Sequence, residues 1–314
     1  MKRYFLFLLI AFSAMTSCTE KHLSVKLPEV SESAINFILA NDLGRNGYYE
    51  QKTIAQLMGY TAENRDIEMV VVAGDVHHFD GVGSINDPLW MTNYELIYDH
   101  PDLMIEWNAI CGNHEYRGNT QAVLDYTQVS RRWNAPAKYY TKVITSKDEG
   151  SCRLVFIDTT PLMDKYRNDT INYPDAYKQD VSTQLQWIDS VLVHSTEEWK
   201  IVIGHHPVYA ETSKDAEERT DMQARLAPIL EKNKVDVYFC GHIHNYQHIR
   251  PASSNVNYVV NSSASLSRPV KAIDGTQFCS SDPGFTICSV DNQTFKFFFI
   301  NHKGENIYSY TLSK

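Results

Sequence analysis

Five short apolar runs in this chain end on the same small vocabulary: a glycine with an aspartate, asparagine or histidine within two positions of it. Ile35-Asn36-Phe37-Ile38-Leu39-Ala40 leads into Asn41-Asp42-Leu43-Gly44, and Met69-Val70-Val71-Val72-Ala73 into Gly74-Asp75-Val76-His77-His78. Trp107-Asn108-Ala109-Ile110 leads into Cys111-Gly112-Asn113-His114-Glu115. Trp199-Lys200-Ile201-Val202-Ile203 leads into Gly204-His205-His206-Pro207, and Val235-Asp236-Val237-Tyr238-Phe239 into Cys240-Gly241-His242-Ile243-His244. Runs this short and this rich in β-branched residues are strands buried on both faces; Leu154-Val155-Phe156-Ile157 is another. Stretches with helical spacing separate them, at 48–58, 184–193 and 225–232, as crossover helices would. In an open α/β sheet the loops beyond the carboxyl ends of the strands share one edge. The pattern therefore predicts an α/β fold that gathers two aspartates, an asparagine and several histidines at one place. From about Asn257 the helical spacing stops. Strand-like pieces at 258–260 and 295–300 predict a second sheet finished by antiparallel strands, within one domain.

Taken singly, each piece has a bland explanation. Gly-Asp after a strand is commonly a turn, Asn-His in a loop a hydrogen-bonding pair, and His205-His206 a core imidazole beside a surface one. The repetition at five strand ends is what carries the inference. Imidazole suits zinc and iron, while carboxylate and amide oxygens suit harder ions. The ligands are too many for one tetrahedral site, and no cysteine spacing suggests zinc held by thiolates. A carboxylate can bridge two ions, and two metals roughly 3.5–4 Å apart form a clamp for in-line displacement at phosphorus.

The charge balance excludes one class of partner. With 29 basic against 38 acidic residues, a net charge of −9 and no basic stripe, the chain lacks the footprint that clamps a nucleic-acid backbone. The N-terminus reads separately. Lys2 and Arg3 precede an apolar run, Tyr4 to Ala14, too short to span a bilayer comfortably, and Thr16-Ser17-Cys18 follow. Residues 1–18 resemble a bacterial lipoprotein signal, with Cys18 the lipidated residue; a plain cleaved secretory signal is the alternative. Residues 19–33 read as a polar tether and 34–314 as the catalytic domain. The expectation is an exported monomer in the bacterial periplasm or cell envelope, held to the membrane only through that lipid anchor. Cys111, Cys152 and Cys240 lie in or beside apolar runs and read as small buried hydrophobes. Cys279 and Cys288 flank Asp282-Pro283-Gly284 and could pair in an oxidising compartment.

With Gly-Asn-His-Glu and Gly-His-Ile-His as its most specific pieces, the chain resembles the calcineurin-like metallophosphoesterase superfamily. More closely it resembles the tartrate-resistant, purple acid phosphatase type. The likeness extends over about residues 35–312 and includes Phe79-Asp80-Gly81-Val82, Ile85-Asn86-Asp87, Arg132-Trp133-Asn134-Ala135-Pro136, Val208 and Asn245. It implies a four-layer α/β/β/α sandwich, two mixed sheets flanked by helices. It also implies a dinuclear-metal phosphatase that hydrolyses small phosphate monoesters through metal-activated hydroxide. Carried over by position, Asp42, Asp75 and His244 hold one ion, Asn113, His205 and His242 the other, and Asp75 bridges. His114 is the catalytic residue beside the leaving group, working near its normal pKa. His206 and Glu115 are candidates to face substrate; a structural role for His206 beside Pro207 is the alternative. One departure matters: where purple enzymes carry a tyrosine ligand this chain has His78, with His77 the next candidate. The metals implied are iron with iron, zinc or manganese. Thr160 to Gln179 corresponds to a loop over the site, whose Tyr166, Tyr173 and Tyr177 tune access or merely pack on the surface. The alternatives in function are a phosphodiesterase or nucleotide hydrolase with the same metals, and a lipoprotein that binds phosphate or a partner without turnover.

Overall fold

The computed structural model describes residues 25–314. The proposed signal segment with Cys18, and the start of the tether, lie outside those residues. The strands are, in chain order, β1 (Ile35–Ala40), β2 (Ile67–Val72), β3 (Glu106–Ala109), β4 (Trp133–Asn134), β5 (Tyr140–Thr145), β6 (Ser151–Phe156), β7 (Trp199–Ile203), β8 (Val237–Cys240), β9 (Tyr246–Ile249), β10 (Asn257–Val260), β11 (Thr276–Ser280), β12 (Gly284–Val290), β13 (Thr294–Asn301) and β14 (Asn306–Ser313). The helices are α1 (Gln51–Asn64), α2 (Thr120–Asp125), α3 (Asp164–Asn168), α4 (Val181–Val193), α5 (Ala216–Arg225) and α6 (Ala227–Lys232). None is long and apolar enough to cross a membrane.

The strands form two seven-stranded sheets, ordered β14-β13-β12-β1-β2-β3-β4 and β11-β9-β10-β8-β7-β6-β5. Both are mixed: β1, β2 and β3 run parallel, as do β6, β7, β8 and β10, while β12, β13, β14, β9 and β11 enter antiparallel. Side chains alternate faces along a strand, and here the alternation builds two apolar layers. Phe37 and Leu39 of β1 meet Phe156, Ile203, Phe239 and Phe297 between the sheets. Ile38 and Ala40, from the same strand, join Val70 and Val72 against Ile54, Leu57 and Met58 of α1. Val202 and Tyr238 belong with Ile188, Leu192 and Leu230 of α4 and α6 on the other outer face. Strands apolar on both faces are thus explained by a helix–sheet–sheet–helix stack, the four-layer sandwich expected. Each phenylalanine buried between the sheets contributes roughly 1.5–3 kcal/mol of transfer free energy.

Four expectations need correction. The antiparallel finish does not complete the second sheet alone: β12 pairs with β1, so the last three strands extend the first sheet. Cys279 and Cys288 consequently stand in different sheets, both unpaired, with Cys288 fully buried. Cys111, Cys152 and Cys240 are buried free thiols as expected. The stretch expected as tether is not free along its described part: Leu27 is 6% exposed and Lys26 bridges to Glu305. Finally, the helix expected at 225–232 is α6, which starts two residues later at Ala227, and a separate helix, α5, precedes it and ends at Arg225. α5 escapes the apolar pattern because only Met222 and Glu218 on it are buried.

Candidate metal centre

The carboxyl ends of β1, β2, β3, β7 and β8 open onto one edge, and the loops there are tied to one another. Asp42 N donates to Gly74 O at 3.0 Å, Leu43 N to Asp75 O at 3.0 Å, and Gly241 N to His205 O at 2.9 Å. Asp42, Asp75, His242 and His244 all adopt left-handed φ, at 51°, 56°, 72° and 60°. Such conformations in non-glycine residues cost of order 1 kcal/mol or more each and gather where function needs them. Gly112 is required by close approach, since a Cβ there would stand 2.2 Å from Asp75 Oδ1.

The expected residues converge, and all but His114 are buried. Each aspartate has one anchored oxygen and one aimed inward. Asp42 Oδ2 accepts from Asn41 Nδ2 at 2.6 Å and His242 N at 2.9 Å, while Oδ1 lies 3.0 Å from His244 Nε2 and 3.9 Å from His78 Nε2. Asp75 Oδ1 accepts from His114 N at 2.9 Å. Its Oδ2 stands 3.1 Å from His205 Nε2, 3.6 Å from His78 Nε2 and 3.8 Å from His114 Nε2. Despite these separations, Asp42 Oδ1, both ring nitrogens of His78, Asn113 Oδ1 and His205 Nε2 are buried without a hydrogen-bond partner. Buried polar atoms are almost always satisfied. Atoms close together yet not aligned on one another point at shared space, which is the arrangement of ligands around cations. The donor set, two carboxylates, one amide oxygen and four imidazoles, fits a pair of ions of zinc, iron or manganese type. His78, not His77, belongs to this set: His77 turns away, its ring edge-on to Trp90 at 4.4 Å.

The electrostatics agree. Burial alone would raise Asp42 and Asp75, but neighbouring histidines, His244 and His205 foremost, hold both carboxyls well below their usual range. Burial would lower His205, and the Asp75 charge reverses that to about 9, the effect of a strongly negative centre. Burial, then the Lys214 charge, push His242 down to about 3, leaving it a neutral donor.

Two residues expected to face substrate are buried. Glu115 is 1% exposed, and its carboxylate accepts three backbone N–H groups: Asp75 at 2.9 Å, His77 at 3.0 Å and Gly112 at 2.8 Å. It fastens the β2 and β3 loops together from behind. His206 is fully buried, with Nδ1 2.8 Å from Thr159 Oγ1 and Nε2 3.3 Å from Tyr166 OH, and its ring lies 4.2 Å from that of His242 at a tilt of 50°, with ring nitrogens of His205, His206 and His242 within 4.8 Å of one another. His114 alone is partly open, its Nδ1 bonded to Phe79 O. Burial lowers its pKa rather than leaving it unshifted.

The segment 160–179 is a folded cap containing α3 rather than a slack loop. Tyr166 and Tyr173 are buried, bonded to Glu218 and Arg117, and Tyr177 alone is exposed. Sequence reading missed Glu218 and Lys214, both on or beside α5. Glu218 Oε2 lies 3.0 Å from His242 Nε2, and Lys214 Nζ donates to His242 O at 2.8 Å. It also missed Arg45, 7% exposed, whose guanidinium covers the Phe79 ring at 4.7 Å.

Comparison with known proteins agrees with this geometry. The model of the calcineurin-like phosphoesterase family matches residues 35–246. Purple acid phosphatase 7 of Arabidopsis thaliana is 32% identical over 225 residues, 70% of this chain and 67% of that protein. Tartrate-resistant acid phosphatase type 5 of Sus scrofa is 27% identical over 221 residues, 69% of this chain and 64% of its own. Among solved structures, GAP50, the anchor in the inner membrane complex of Plasmodium, superposes with a TM-score of 0.76 at 23% identity, covering 90% of this chain and 89% of its own. That likeness speaks for the fold alone. With its matched span, its identity to the plant enzyme and its strand-end ligands, this chain belongs to the calcineurin-like phosphoesterase family.

Proposed function

We propose that the chain is a dinuclear-metal phosphatase acting on small phosphate monoesters. The observation that carries this reading is the set of unpartnered buried ligand atoms beyond four strand ends, those of β1, β2, β3 and β7. Asp42, His78 and His244 would hold one ion, Asn113, His205 and His242 the other, and Asp75 both. When bound, such a pair supplies an acidified water as nucleophile and positive charge opposite the transferring phosphoryl group.

The protein's own groups do the rest. Glu115 and the inter-loop hydrogen bonds hold the two aspartates in place before substrate arrives, so no reorganisation accompanies the reaction. A carbonyl can only accept, so the Phe79 bond keeps a hydrogen on His114 Nδ1 and leaves Nε2 facing the centre. In its protonated form that Nε2 donates to the leaving oxygen, and burial favours giving the proton up. His78 in place of a tyrosine removes the phenolate that would stabilise ferric ion, which favours a divalent pair such as zinc, manganese or iron(II). The N-terminal pattern ending at Cys18 supports export to a cell envelope with a lipid anchor, the folded domain acting as a monomer.

The test is hydrolysis of p-nitrophenyl phosphate against bis-p-nitrophenyl phosphate by protein of known metal content. Faster turnover of the monoester is expected. Preference for the diester would favour a phosphodiesterase, and turnover of neither by metal-loaded protein would overturn the reading.

A further inference from the structure

The three histidines of the centre in the loops after β7 and β8 are not held alike. His205 Nδ1 lies 2.7 Å from Ala73 O, and His244 Nδ1 lies 2.8 Å from Leu266 O. Carbonyl oxygens only accept, so in both rings Nδ1 carries the hydrogen and Nε2 presents its lone pair. These are the nitrogens nearest Asp75 and Asp42. His242 is turned the other way. Its Nε2 stands 3.0 Å from Glu218 Oε2, so Nε2 carries the hydrogen and Nδ1 the lone pair.

The partner also differs in kind, being a carboxylate and not a carbonyl. It is firmly built: Glu218 is 2% exposed, and its Oε1 accepts from Tyr166 OH at 2.8 Å and Lys165 Nζ at 2.9 Å, leaving Oε2 to His242. Lys214 Nζ does not take the Nδ1 lone pair. It lies 3.2 Å from Nδ1 and 3.0 Å from Nε2, and an in-plane position near both would collide with the ring carbon between them, so the ammonium sits over the ring face.

We propose that Glu218 is a positioning residue: it locks His242 in the tautomer that coordinates through Nδ1 and fixes the orientation of that ring. The inference rests on the dinuclear reading above. It makes the ion held by Asn113, His205 and His242 dependent on α5, and leaves the ion held by Asp42, His78 and His244 indifferent to it. Carboxylate partners of this kind are worth about 10–100-fold in metal affinity.

The experiment is calorimetric titration of metal-depleted full-length protein with Zn²⁺, for wild type, Glu218→Ala, Glu218→Gln and, as control, Glu217→Gln at the exposed neighbouring carboxylate of α5. Wild type takes up two ions. Glu218→Ala should weaken one of them about 10–100-fold and leave the other unchanged. Glu218→Gln, whose amide oxygen still accepts from Nε2 without the charge, should fall between; Glu217→Gln should stay near wild type. In the zinc-loaded protein the downfield His242 Nε2–H proton resonance should move in Glu218→Gln, a change that a general loss of stability does not produce. Two ions bound at wild-type affinity by Glu218→Ala, or by Glu218→Gln should the alanine variant not fold, would overturn the inference while leaving the dinuclear centre standing. Equal weakening of both ions would overturn it too. A wild type that binds no pair overturns both.

Discussion

Replacing Glu115 separates a residue that faces substrate from one that fastens the loops. The carboxylate accepts from Asp75 N and Gly112 N on Oε2 and from His77 N on Oε1. Glu115→Ala leaves three buried backbone donors without acceptors. At about 1–3 kcal/mol for each donor stranded, the loss is roughly 3–9 kcal/mol, a large share of the ~5–15 kcal/mol that holds a typical domain together. Glu115→Gln keeps one acceptor oxygen but turns an NH₂ toward at least one N–H, so a loss of about 2–4 kcal/mol is expected. The assay is denaturant unfolding of metal-free protein followed by circular dichroism, with metal uptake and the KM for p-nitrophenyl phosphate measured on the glutamine variant. The expected result is a large fall in stability and weaker metal uptake, with KM little changed for whatever fraction is metal-loaded. Stability within 1 kcal/mol of wild type together with a raised KM would refute the reasoning and return Glu115 to the substrate side.

Other expectations follow from the same geometry. His114→Ala should lower turnover of p-nitrophenyl phosphate by about 10²–10⁴-fold with both ions retained, since His114 acts on a proton and is not among the ligands; unchanged turnover would remove it from the mechanism. Gly112→Ala would set a methyl group 2.2 Å from Asp75 Oδ1 and 2.7 Å from Asp75 N, so metal content should fall; full metal content would contradict the account of that glycine. His248 is fully buried, with Nδ1 2.9 Å from Tyr308 OH and Nε2 3.0 Å from Asn257 Oδ1. Burial pushes its pKa down from 6.5 to about 4. The folded state therefore binds this proton more weakly than the unfolded chain does. The stabilisation is full above pH 6.5 and is lost as pH falls toward 4, by roughly 3 kcal/mol in all. In metal-free protein, the stability difference between wild type and His248→Gln should shrink by about that amount between pH 7 and 4; a flat difference would refute it.

The ligand set was legible in the chain because strand ends announce themselves: a β-branched run, a glycine, then a polar residue with one destination. His78 could be proposed but not separated from His77, because adjacent residues in a loop have no periodicity to orient them. The structure separates them by aiming one ring at the carboxylates and the other at Trp90. Glu115 and His206 were misread for a related reason. Proximity in sequence to a ligand says nothing of which side of the loop a side chain occupies, and both point into the scaffold. Glu218 was invisible because α5 presents a charged sequence, and a carboxylate on it has a surface location as its ordinary reading. Only the tertiary fold brings it 3.0 Å from His242. The joining of β12 to β1 was equally out of reach, since strand pairing across some 250 residues leaves no local trace.

The account stands most directly on Asp75 serving two ions. Elemental analysis of purified, metal-saturated protein should find close to two ions per chain in the wild type. Asn113→Ala, which removes a ligand from one ion only, should keep close to one. Asp75→Asn, which weakens the shared bridge, should keep well under one. Two ions retained by Asp75→Asn, or none in the wild type, would contradict the claim that this edge of the sandwich is a dinuclear metal centre.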